Sequence, residues 1–161
     1  MVEGQMTYNW PHDDTQSLLN YYGRPWEYAG LLTHVTPPFI IRYEGAPVHA
    51  VLIHKRCSDA LAEVFANIWN HYGRDQSAID NSSISRYSGS YNYRNVRGSI
   101  NLSCHAFGAA LDFDAEHNPL GATHSNMDPV VISAFKSVGA WWGGDFIHRK
   151  DNMHFQFATE A

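Results

Sequence analysis

The sequence predicts one domain that mixes strands and helices, with its chemistry gathered in two short stretches of the second half. Three observations predict this. Short β-type runs crowd residues 31–54, an amphipathic helix fills 58–72, and the second half alternates a buried strand, a helix and a closing strand. At 161 residues, one domain with a sizeable core is the expectation.

Each element has a local reason. Residues 1–30 are polar and aromatic, with a turn at Gly23-Arg24-Pro25 and a short helix expected from Asp14 to Tyr22. The runs LLTHV, FIIRY and VHAVLIH follow. Pro37-Pro38 and Gly45-Ala46-Pro47 separate them, so they read as hairpin-like strands. In 58–72, Leu61, Val64, Phe65, Ile68, Trp69 and Tyr72 recur at helical spacing, with Ser58 as cap and Gly73 just past the end. Residues 74–102 are rich in Ser, Asn, Arg and Tyr and read as a loop suited to a cleft wall. Residues 109–113 read as a buried strand, with Asp112 and Asp114 on one face and Leu111 and Phe113 on the other. After a loop at 115–127, a helix is expected with Asp128 as N-cap and Pro129 at its first position. Val131, Ala134, Phe135, Val138 and Trp142 form its apolar face, and Gly143-Gly144 stop it. In the closing NMHFQF, Met153, Phe155 and Phe157 alternate with His154 and Gln156, so His154 faces away from the apolar set.

Composition excludes several function classes. The formal charge is −5 and no basic stripe occurs, which argues against nucleic-acid binding. No apolar run approaches the roughly 20 residues that span a bilayer. The start, MVEGQMTYNW, lacks the basic-then-apolar pattern of a secretory signal, so synthesis in the cytoplasm is expected. Cys57 and Cys104 are the only cysteines and read as small buried thiols.

The two stretches SCHAFGAALDFD (103–114) and WWGGDFIHRKDNMHFQF (141–157) supply a split metal site. His105, Asp112 and His154 are two imidazoles and one carboxylate. Three such ligands leave one position open for water, as a catalytic zinc requires. Cys104 is an alternative fourth ligand, but an open position suits catalysis better. Asp112 sits inside an apolar run, where a carboxylate is costly unless paired or bound to metal. Zinc lowers the pKa of water toward about 7. Asp151 is the candidate base, and an Arg of the preceding loop, Arg94, is the candidate for stabilising the oxyanion.

SCHAFGAALD also matches the Ser-x-His-x-x-Gly-x-Ala-x-Asp motif of the D-alanyl-D-alanine carboxypeptidase and L-alanyl-D-glutamate endopeptidase family of zinc peptidases. WWGGDFIHRKDNMHFQF resembles that family's second motif, a Trp-Gly-Gly turn followed by Asp-x-x-His-Phe, in the same order and at a similar separation. The resemblance covers about residues 86–157 clearly and 49–73 more loosely. It implies that His105, Asp112 and His154 ligate zinc and that Asp151 is the general base. It places the substrate-steadying arginine at Arg94 in SGSYNYR, with Arg97 as a substitute, and makes Ser103 a second contact around the site or to substrate. The fold implied is a small single α+β domain. Its mainly antiparallel central sheet carries the zinc ligands, and helices pack on one side. The expected domain is 1–161, with the motif-bearing core at about 49–158 and residues 1–30 packed on it as an N-terminal extension.

The expected activity is zinc-dependent hydrolysis of peptide bonds in bacterial peptidoglycan stem peptides by a monomer. The cut is either L-Ala–D-Glu or terminal D-Ala-D-Ala. A chain without a signal favours a phage endolysin that reaches the wall after phage-type release, although no wall-binding module is attached. The rival reading is a non-catalytic, zinc-containing wall-binding or structural phage protein. A binding module has no need of a carboxylate placed as base.

Overall fold

The computed structural model describes residues 8–25, 29–93, 96 and 101–160. Its centre is a four-stranded antiparallel sheet in the order β5 (Tyr87–Gly89), β6 (Ala110–Phe113), β8 (His154–Gln156), β7 (Trp141–Trp142). Two antiparallel pairs precede it in the chain. β1 (Leu32–Val35) pairs with β4 (Val51–His54), and β2 (Ile41–Tyr43) pairs with β3 (Ala46–Val48). The expected run VHAVLIH is therefore two strands serving two different partners. The structure is a small α+β domain, as expected.

Period-2 alternation gives the central sheet two unlike faces. Leu111, Phe113 and Phe155 are fully buried on one of them. Helix α4 (Pro129–Ser137) covers this face, with the Phe135 ring stacked 4.2 Å from Phe155 and 6.1 Å from Phe113. Helix α2 (Ser58–His71) packs on α4 in turn and buries Leu61, Val64, Phe65 and Ile68, the stripe its periodicity predicts. Asp128 ties the layers together. Its carboxylate accepts from Val130 N–H at 2.9 Å as N-cap, from Ser82 Oγ at 2.8 Å, and from Tyr72 at the end of α2.

Helix α1 (Thr15–Tyr22) packs instead near the turn Cys104–Phe107. Tyr22 is fully buried and donates to Phe157 O at 2.6 Å. The segment before α1 runs beside the C-terminal residues. Asp13 N–H donates to Thr159 O at 2.7 Å, and Thr159 N–H donates to Pro11 O at 2.8 Å.

Four local expectations are corrected. Residues 74–102 are not loop throughout, because helix α3 (Gln76–Asp80) and β5 lie within them. Asp75 caps α3 through Ser77 N–H, a signal hidden among many polar neighbours. Helix α4 ends at Ser137, with Val138 as its C-cap, rather than at Gly143, and Trp142 lies in β7 instead of on the helix. The N-cap of α2 is Cys57, which makes no side-chain cap, while the Ser58 hydroxyl donates to Lys55 O. Asp114 does not share a face with Asp112. Its φ of +52° turns it out of the strand, where it meets Arg86 at 3.6 Å and His117 at 2.6 Å.

Candidate active site

Cross-strand partners project from the same face of a sheet. The pairing Asp112↔His154 therefore sets a carboxylate beside an imidazole on the face opposite the Phe155 core. Ala110↔Gln156 and Trp141↔Gln156 extend that face. His105 reaches it from outside the sheet, on the 3₁₀ turn Cys104–Phe107. Ser103 caps this turn, its Oγ accepting from His105 N–H at 3.2 Å. Gly108 closes it at φ +69°, and a Cβ there would lie 2.6 Å from Leu32 Cδ2. Only glycine combines that backbone with that contact. The Gly108 carbonyl then accepts from His54 N–H at 2.7 Å, which fastens the turn to β4.

The three side chains converge closely. His105 Nε2 lies 3.2 Å from His154 Nδ1 and 3.3 Å from Asp112 Oδ2, and His154 Nδ1 lies 3.1 Å from Asp112 Oδ1. Donors bound at 2.0–2.1 Å around a tetrahedral ion sit about 3.3 Å apart, a spacing the two imidazole nitrogens match, with one ligand atom from each of the three residues lying within 4.8 Å of the others. The outer nitrogens are engaged as well. His105 Nδ1 is 2.6 Å from Ser90 O, a group that only accepts, so Nδ1 carries a proton and, once the ring is neutral, Nε2 is the nitrogen with a lone pair facing inward. His154 Nε2 is 2.9 Å from Gln156 Oε1. Among the described residues, His105, Asp112 and His154 are the group of donors close enough to hold an ion.

Their electrostatics are mutual. Burial disfavours the Asp112 carboxylate, but hydrogen bonds from His105 and His154 outweigh it and hold this group well below the usual carboxylate range. Burial likewise pulls the His154 imidazole down. The Asp112 hydrogen bond and charge, with help from Asp151, win and push it up to about 9. Cys104 is not among the clustered donors. Its thiol donates to Asp13 Oδ1 at 3.3 Å, and burial followed by the Asp13 charge pushes its pKa well above the ordinary value.

Asp151 lies where the second stretch returns to the sheet. Its N–H donates to Gly143 O at 2.9 Å, and its carbonyl accepts from His154 N–H at 3.1 Å. A Cβ on Gly143 would fall 2.2 Å from Asp151 O, so glycine is required here for space. Asp151, His105, His154 and Ser103 all line one cleft of about 430 Å³, which Trp141, Phe146 and Ile147 help to wall. Trp141 meets Phe146 edge-on at 5.2 Å. Trp142 belongs elsewhere, donating from Nε1 to Asn152 O at 2.9 Å.

Arg94 and Arg97 lie outside the described residues. Ser103 is placed as the cap that orients His105 and also lines the cleft. Sequence reasoning missed Ser90, Gln156 and Asp13. Gln156 was within reach, since alternation puts it on the His154 face. Ser90 and Asp13 come from distant segments, and no local pattern marks them.

Residues 97–157 match the family model described as D-alanyl-D-alanine carboxypeptidase, which supports the resemblance seen in the two motifs. The matched stretch runs through His105, Asp112, Asp151 and His154 and supports a peptidase. No curated protein and no solved structure matches the chain.

Proposed function

We propose that this chain is a zinc peptidase that hydrolyses peptide bonds in the stem peptides of bacterial peptidoglycan. One observation carries the reading. His105 Nε2 and His154 Nδ1 stand 3.2 Å apart, each within 3.1–3.3 Å of an Asp112 oxygen, and both imidazoles line the same cleft as a separate carboxylate, Asp151, inside a peptidase-family segment. His105, Asp112 and His154 would hold the metal. A bound zinc supplies Lewis acidity toward water and toward the substrate carbonyl.

The remaining work falls to the protein. Asp151 takes a proton from the attacking water and returns it to the leaving amine. Arg94 steadies the developing oxyanion, and Arg97 is its alternative. Trp141, Phe146 and Ile147 offer an apolar wall for the peptide. A monomer suffices, since every named residue comes from one chain. No helix among the described residues is long and apolar enough to cross a membrane, and phage-type release is our reading of how the enzyme reaches the wall.

The test is a digest of purified peptidoglycan, with and without chelator, read by mass spectrometry. Chelator should abolish cutting and added zinc should restore it. His154→Ala should lose the metal, whereas Asp151→Ala should keep the metal and lose hydrolysis. The fragments name the bond: released D-Ala marks a carboxypeptidase, and separation at L-Ala–D-Glu marks an endopeptidase. Zinc held with no hydrolysis of any muropeptide would replace this reading with a binding module.

A further inference from the structure

Gln156 is buried beside His154, and its amide has two sides to satisfy. One side faces His154 Nε2 at 2.9 Å. The other faces Asp13 Oδ2 at 3.0 Å and Ala158 O at 3.3 Å. Both of those oxygens only accept, so the amide NH₂ must point at them. That orientation leaves Oε1 for His154, and an oxygen there demands a proton on His154 Nε2. The neutral ring then carries its lone pair on Nδ1, the atom 3.1 Å from Asp112 and 3.2 Å from His105.

We infer that Asp13 and Gln156 are positioning residues of the metal site, and that Asp13 sets the tautomer of His154 through the Gln156 amide. Asp13 is itself held from three directions. Its N–H donates to Thr159 O at 2.7 Å, Oδ1 accepts from the Cys104 thiol at 3.3 Å, and Oδ2 accepts from Gln156. The segment before α1 thus contributes to the site although it lies outside the family-matched stretch 97–157. Ser90 does the same for His105 with a backbone carbonyl, so each imidazole has its own outer partner.

The inference rests on the metal site proposed above but not on hydrolysis. It is tested by zinc affinity, measured by competition with a chromophoric chelator, with thermal unfolding of metal-free protein as the check on folding. Gln156→Leu removes the acceptor and should weaken zinc binding by about 10- to 100-fold. Asp13→Ala should weaken it in the same direction, because only the longer 3.3 Å bond to Ala158 O is then left to hold the amide.

The conservative swap separates positioning from mere packing. Gln156→Glu alone sets a second carboxylate against Asp13 and should bind zinc poorly. Combined with Asp13→Asn, whose amide donates to the new carboxylate, affinity should return to the wild-type level or better. If the double variant stays as weak as Gln156→Glu, or if folded Gln156→Leu or Asp13→Ala binds zinc like the wild type, the inference is overturned. Should Gln156→Leu not fold, the swap decides alone. A wild type that holds zinc but cuts nothing removes the peptidase reading and leaves this inference standing.

Discussion

Gly143→Ala is the sharpest probe of how Asp151, the proposed general base, is placed. An added Cβ would sit 2.2 Å from Asp151 O, 3.1 Å from Asp151 C and 3.0 Å from Asp151 Cβ. Non-bonded carbon and oxygen need more than 3 Å, so Asp151 must retreat by about 1 Å or the Gly143 turn must open. The 2.9 Å bond from Asp151 N–H to Gly143 O ties the two residues, so both strain together. Overpacking of this kind costs about 1–3 kcal/mol of stability. A 1 Å displacement of a reacting group is enough to cost roughly 100-fold in rate. His105 and Asp112 stand on other elements, the Cys104–Phe107 turn and β6, whereas His154 N–H donates to Asp151 O at 3.1 Å and shares part of the strain. Gly143→Ala should therefore still bind zinc, through donors of which only His154 adjoins the strained carbonyl, unfold at a somewhat lower temperature, and hydrolyse muropeptides roughly 100-fold more slowly. Zinc content, thermal unfolding and digest rate are read on the same preparation. Full hydrolysis by a folded Gly143→Ala protein would refute the claim that Asp151 must sit where this glycine lets it sit.

Two further outcomes follow from the packing and the charges. Phe135→Ala removes the ring that joins α4 to Phe113 and Phe155, and should cost about 3–5 kcal/mol in urea unfolding. Zinc content per folded chain should not change, because that ring lies on the face away from the donors; a loss of metal would contradict the two-faced sheet. The metal-free protein and the metal complex should respond to pH in opposite senses. The fold raises His154 to about 9, so its contribution to stability is complete below the unfolded value near 6.5 and is lost as pH climbs through about 9. Zinc needs the neutral imidazole, so affinity should rise over that window, and metal binding at pH 7 should release about one proton. Calorimetry in buffers of different ionisation enthalpy measures the release, and its absence would remove the paired His154–Asp112 state.

How much of this was legible beforehand differs from residue to residue. His105, Asp112 and His154 stood out because two ligand-bearing stretches matched a family pattern and because Asp112 interrupts an apolar run. The α2 stripe and the Asp128-Pro129 start of α4 were equally plain, since both follow from local periodicity and capping chemistry. Helix α3 was hidden, as five residues among polar neighbours carry too little periodicity to separate helix from loop. The end of α4 was misplaced because Val138 and Trp142 keep the apolar spacing after the backbone has left the helix.

The sequence by itself determined which residue types could bind a metal and on which side of a strand each would project. Those are consequences of side-chain chemistry and of alternation, both local. Only the tertiary structure decided the rest. Register between β6 and β8 sets Asp112 opposite His154, Gly143 yields the space into which Asp151 returns, and Asp13 reaches Gln156 from 143 residues away. The physical reason is that these are relations between segments. A strand dictates its own faces, but pairing register, close backbone approach and the partner of a buried amide arise when separate stretches pack against each other.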